Sequence, residues 1–312
     1  MAGIFALFII PLTLAEGSWA WGDASTIVTL VFCGVVTIVF IVQQAFAIFT
    51  TKERRIFPVG LLRVRTLVLL FISTAATSTS LFIPVYYIPL YFQFSRGDDP
   101  VEASVRLLPF ILIGVFTTMV SGGAMPKFGY YMPWYVLGGS ASVLGAALMY
   151  TVKATTAAGA VYGYSIPIAI GAGGSLQIGY SVAQASLPVS QHPAAIRFIN
   201  MSQLGGTTIA LTIAGRVFQT YAFKNVKSAV AGLGFSDGQV AASIAGAQGS
   251  LLESLTPEIR AAVLEGIVKA ISKAYILVIA GGATTLICSV FMKREKLFQA
   301  APAPAPIEEE KQ

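Results

Sequence analysis

The chain has 312 residues, 55% of them hydrophobic and 11% charged, with a mean hydropathy of +0.76 and a formal net charge of +6. A soluble domain carries about 25% charged residues, so this chain has too few to clothe a water-facing globule of its length. Its basic residues gather at the ends of apolar runs, the habit of a membrane protein, which argues against nucleic acid as the partner of the positive charge.

A helix needs about 20 apolar residues to cross the hydrocarbon. Apolar runs occur at roughly 2–15, 26–49, 67–93, 105–124, 131–151, 159–186, 196–218 and 274–292, which predicts eight spans and an all-α, polytopic membrane fold. The first run is short at fourteen residues, and the seventh is the most polar, with Asn200, Gln203 and Arg216. Within the third, "PVYYIPLYFQFSRGDDP" at 84–100 carries Pro84 and Pro89, which no central β-strand would hold. These prolines free backbone carbonyls and either kink the helix or end it, with Tyr86, Tyr87, Tyr91 and Phe94 expected near the membrane interface. Arg106 and Arg216, near span ends, are expected to snorkel. Cys33 and Cys288 both lie in apolar runs and suggest neither a disulfide framework nor a zinc site.

Charge sets an orientation. The linker 50–66, "TTKERRIFPVGLLRVRT", has five basic residues and one acid, and Lys293, Arg294 and Lys296 follow the last run. Across the third span, "SRGDDPVEAS" sets Arg96 against Asp98, Asp99 and Glu102. The positive-inside rule then puts 50–66 and both termini in the cytoplasm, and the six intervening spans agree with that. The tail 293–312 reads as a disordered cytoplasmic end. Residues 217–273 form the longest non-spanning piece, an external loop in which Thr256-Pro257 opens an amphipathic surface helix leading to the last span.

Polar groups inside spans are costly and so informative. The sixth run offers Gln177, Tyr180 and Gln184 at i, i+3, i+7, and the seventh offers Asn200, Gln203 and Thr207 at the same spacing. These stripes either line a common cavity, where amides and a phenol meet a largely apolar solute, or bond to each other across a helix pair. The glycines of "PIAIGAGGSLQIGYS" and "SQLGGTTIALTIAGR" permit close helix approach, as in any polytopic bundle. No run contains Asp or Glu, so no internal carboxylate is available for proton coupling. His192 is the one histidine, and no cofactor, metal site, catalytic residue or phosphate loop is expected; the chain reads as a non-enzyme.

"YYIPLYFQ" at 86–93 and "RGDDPVEASVRLLPF" at 96–110 resemble the fungal major facilitator superfamily multidrug and mycotoxin exporters with fourteen spans. The residues that carry this are Pro84, Tyr87, Pro89, Gln93, Arg106 and Pro109, with Ser104 where glycine is usual. "SGGAMPKFGYYMPW" at 121–134 is similar to the degenerate second copy of the superfamily's loop motif, with Gly122, Lys127 and Gly129 in the glycine, basic and glycine positions. "AEGSWAWGDAS" at 15–25 resembles the turn between the two additional central helices of these carriers. The resemblance covers nearly the whole chain and implies its organisation. Residues 1–49 are the additional pair with its first helix truncated, and 50–66 are the linker. Residues 67–292 are the C-terminal six-helix bundle with an external loop at 219–273.

On this resemblance the N-terminal six-helix half is missing, and a truncated gene model is the favoured history. The implied function is efflux of small amphipathic compounds (drugs, toxins or secondary metabolites) by proton antiport in the full-length form. Protons, the lipid bilayer and the missing half, in cis or in trans, are the expected partners. A plasma membrane location is expected, with vacuolar or vesicle membrane as the alternative. The rival reading is a non-transporting membrane protein or remnant that acts as a partner or regulatory subunit.

Overall fold

The structure, a computed structural model, describes residues 2–14, 22–46, 57–245, 255–294 and 296–297. The turn at 15–21, the basic core of the linker and the tail from 298 lie outside the described residues. Helices α1 (Ala2–Leu14) and α2 (Ala24–Phe46) come first. They are followed by α3 (Arg65–Arg96), α4 (Pro100–Val105), α5 (Leu108–Phe128), α6 (Met132–Tyr150) and α7 (Ala158–Ala185). The series ends with α8 (His192–Ala229), α9 (Asp237–Ala245) and α10 (Pro257–Phe291). Short 3₁₀ turns at Val59–Arg63 and Val189–Gln191 lead into α3 and α8. All regular structure among the described residues is helical, as the apolar runs predict.

Among the described residues, six helical stretches are long and apolar enough to cross a membrane: α2, α3, α4 with α5, α6, α7 and α10. Two of the eight expected spans do not meet that standard. With thirteen residues, α1 rises only about 20 Å, short of the roughly 30 Å hydrocarbon thickness. The 38-residue α8 has length to spare, but its asparagines, glutamines, threonines and basic residues keep it out of the apolar set.

The structure bears on three local expectations. Neither proline ends the third span; α3 runs through both to Gly97, which caps it at φ 72°. The helix absorbs them after a Ser/Thr-rich stretch whose hydroxyls bond back, as when Ser78 Oγ donates to the Thr74 carbonyl at 2.7 Å. Tyr87, Tyr91 and Phe94 are buried core residues, and only Tyr86 (58% exposed) faces outward. The stretch read as a long external loop is largely helical among its described residues: α8 continues to Ala229, and the amphipathic segment joins the last apolar run in one 35-residue α10. Thr256 and Pro257 do hold the N-cap and first-turn positions, although the threonine side chain makes no capping bond. Helix propagation needs only one further bond per residue, so these helices extend past their apolar windows once packing supports them.

At the centre, α3 packs against α7, α8 and α10, while α6 fits between α7 and α10, and α5 lies on α7. At the periphery, α2 leans on α1, and α1 on α8. Two apolar clusters fill the ends of the bundle, one around Ile83, Tyr91 and Tyr275, the other around Leu67, Tyr131 and Phe198. Between them runs a layer of buried hydroxyls and glycines, including Ser73, Thr74, Thr77, Ser142 and Ser175. Backbones touch here. A Cβ on Gly138 would lie 2.8 Å from the Gly171 carbonyl, one on Gly281 2.8 Å from the Ala76 carbonyl, and one on Gly206 2.7 Å from Ala75 Cα. Without water to drive association between lipid-exposed helices, such close approach supplies the packing energy.

Candidate substrate-facing patch on two helices

The two polar stripes meet only in part. Tyr180 on α7 points across to α8, where its hydroxyl lies 2.7 Å from Asn200 Oδ1 and in hydrogen-bond contact with Gln203 Oε1. A phenol has one proton and two lone pairs. It donates to one amide oxygen and accepts an N–H from the other amide when that group is turned over, an exchange of O for N that the heavy-atom positions allow. All three groups are neutral, so the patch offers donors and acceptors without the cost of a buried charge.

The other three candidates stand apart. Gln177 is exposed one turn before Tyr180, on the outward line of α7 that also includes Gly163 and Ile170. Gln184 turns back to its own helix, with Nε2 3.3 Å from the Tyr180 carbonyl. The Thr207 hydroxyl is buried and has no hydrogen-bond partner among the described residues. Beside this patch, Gly205 of α8 faces Phe5 of α1, and a Cβ there would meet the ring at 3.5 Å.

Sequence reading missed a second polar group behind the patch. The Thr74 hydroxyl of α3 and the Tyr135 hydroxyl of α6 converge on Gly179 of α7, at 2.7 and 3.3 Å from where a Cβ would sit. Both are buried and unpaired among the described residues. A serine or threonine in an apolar run counts as a small residue by composition, so only the packing shows its isolation.

The residues of the resemblance motifs serve as structure. Arg106 does not snorkel: its Nε and Nη2 grip the carboxylate of Asp98 (Nη2 to Oδ1 3.1 Å), and its guanidinium stacks 5.0 Å from the Phe92 ring. Asp99 caps α4 by accepting from the Glu102 N–H at 2.7 Å, and Pro109 occupies the first turn of α5. The Gln93 carbonyl receives the Gly97 N–H at 3.1 Å. Buried Pro84 and partly buried Pro89 flank Tyr87, which packs on Phe218 with ring centroids 5.8 Å apart. Gly122 and Lys127 are exposed on α5, and Gly129 closes that helix at φ 73°. Among the described residues no three His, Cys, Asp or Glu side chains gather as a metal site.

No family model matches the sequence. Individual relatives do. The MFS-type transporter pgmG of Aspergillus terreus is 40% identical over 96% of this chain and 53% of its own length. The efflux pump alnA of Emericella nidulans is 39% identical over 96% of this chain and 54% of its own. The phomenoic acid biosynthesis cluster MFS-type transporter of Leptosphaeria maculans is 36% identical over 97% and 51%. The chain is a partial-length relative of fungal MFS-type transporters and efflux pumps.

It spans about half the length of the curated relatives it matches. Among solved structures, a bacterial homologue of the human lysosomal transporter Spinster, crystallised inward-facing and occupied, superposes with a TM-score of 0.53. That match covers 97% of this chain and 68% of the other at 15% identity, and it shows a helical fold shared with that transporter. The chain is thus a multi-pass helical membrane protein, and the relatives it resembles are named as transporters and efflux pumps.

Proposed function

We propose that these helices form one wall of an export pathway for small amphipathic compounds, driven by proton antiport in a full-length form. The observation that carries this reading is the neutral polar set of Tyr180, Asn200 and Gln203 beside exposed Gln177. A solute with a hydrogen-bonding group and an apolar body can exchange with the amide–phenol bonds while its body rests on Leu204 and Ile196 of α8. The same side chains then both hold α7 to α8 and release it, a pairing of roles that suits alternating access. One relative's name ties it to a biosynthesis cluster, which supports secondary metabolites as the solute class for this chain.

On this reading the coupling proton binds outside the described spans, since Asp and Glu are absent from their apolar stretches. The linker 50–66 and both termini face the cytoplasm, and the plasma membrane is the site of action. The test is export from cells that express the full-length form, read as accumulation of an amphipathic fluorescent compound. A protonophore should abolish export, and Asn200→Leu with Gln203→Leu should reduce it about tenfold while surface expression holds. Export unchanged by the double substitution would refute the assignment of the patch. No export of any amphipathic compound by a correctly inserted protein would favour a non-transporting partner role.

A further inference from the structure

We infer that the basic end of the bundle binds the phosphate-bearing headgroup of an anionic phospholipid, in a cavity between the start of α3, the end of α7 and the segment after α10. The cavity measures about 350 Å³, and its walls include Val64, Thr66, Ser186, Lys293, Lys296 and Leu297. That volume lies within the range of small-molecule sites. Among the described residues, two lysines and no acid line it. Lysine ammonium groups serve as point charges for phosphate. Arg63, Arg65 and Arg294 adjoin the lining residues in sequence, and Glu295 is the one acid among them.

Three further features favour a phosphate. First, α3 begins here with no side-chain cap and no acid in its first turn, so its N-terminal N–H groups and dipole face the cavity region unopposed. Second, the segment that carries the lysines is pinned: the Leu297 N–H donates to the Gly129 carbonyl at 3.1 Å, and Lys296 Nζ sits 5.6 Å from the Tyr130 ring. Third, the carbonyl of Phe291 at the end of α10 receives Arg65 Nη2 at 3.4 Å, which holds a further cation at the same end.

A lipid is favoured over free phosphate by what surrounds the mouth. Leu62 and Val64, just before α3, and Val290 and Phe291, in the last turn of α10, are exposed apolar residues next to helices long and apolar enough to cross a membrane. A headgroup in the cavity would leave its acyl chains against these side chains. Basic pockets between spans at the basic face are the usual place for such headgroups.

The test uses the full chain purified in detergent and native mass spectrometry, with phosphatidylserine, phosphatidylcholine and inorganic phosphate as probes. Phosphatidylserine should bind in preference to phosphatidylcholine, weaken with salt, and lose affinity on the order of twentyfold in Lys293→Gln with Lys296→Gln. Lys293→Arg with Lys296→Arg should restore it. Ala185→Phe, which narrows the cavity and leaves every charge in place, should also weaken it and guards against misfolding of the double variant. Equal binding of the two lipids, or binding indifferent to all these changes, would overturn the site and leave the lysines as helix-end charges. Inorganic phosphate that binds as tightly as the lipid and displaces it would overturn the lipid assignment.

Discussion

At the scale of single residues, the same chemical group plays two parts according to its neighbours. Tyr180 bridges α7 and α8, whereas Gln177 one turn away bonds to neither. Tyr180→Phe should therefore lower thermal stability in detergent by about 0.6–1 kcal/mol, the usual worth of an interhelical hydrogen bond. Gln177→Ala should leave the melting temperature unchanged and alter only solute handling. Arg106 shows the contrast with a charge. Its partner Asp98 is buried, so Arg106→Ala strands a carboxylate and should lower the melting temperature, by less than for a fully buried pair because the guanidinium is partly exposed. Asp98→Asn added to Arg106→Ala should recover part of that loss in a thermal-unfolding series.

At the scale of elements, the sequence was most legible where period and length alone decide. Runs of apolar residues located α2, α3, α5, α6, α7 and the membrane part of α10 to within a few residues. It was least legible where helices outrun their apolar windows. Hydropathy stops at 218 and resumes at 274, yet α8 and α10 continue beyond those limits through ordinary helix formers and through contacts such as Asn225 Nδ2 on the Gly266 carbonyl at 2.9 Å. The polar stripes were visible by spacing, but rotamers decide who bonds to whom, so Tyr180 and Gln184 part company despite sharing a face. Helix–helix glycines behave likewise: their number was plain and their partners were not. Gly206→Val should push α8 from α3 and cost roughly 1–3 kcal/mol, while Gly122→Val, with nothing within 4 Å, should pass unnoticed in the same melting assay.

At the scale of the molecule, the described helices form a bundle whose ends are apolar and whose middle is a layer of glycine and hydroxyl contacts. Such a layer lets helices shift without dragging large side chains past one another, which suits a carrier and equally suits tight static packing. What separates the two is whether the α7–α8 patch meets a solute pathway. The most direct measurement is cysteine accessibility in membranes, on a background with Cys33 and Cys288 replaced, comparing Gln177→Cys with Phe116→Cys on the exposed apolar face of α5. The account predicts that a water-soluble maleimide labels position 177 readily, labels position 116 poorly, and is slowed at 177 by an amphipathic solute. Labelling at 177 as slow as at 116, with no effect of solute, would mean that the patch faces lipid and that these helices form no wall of an export pathway.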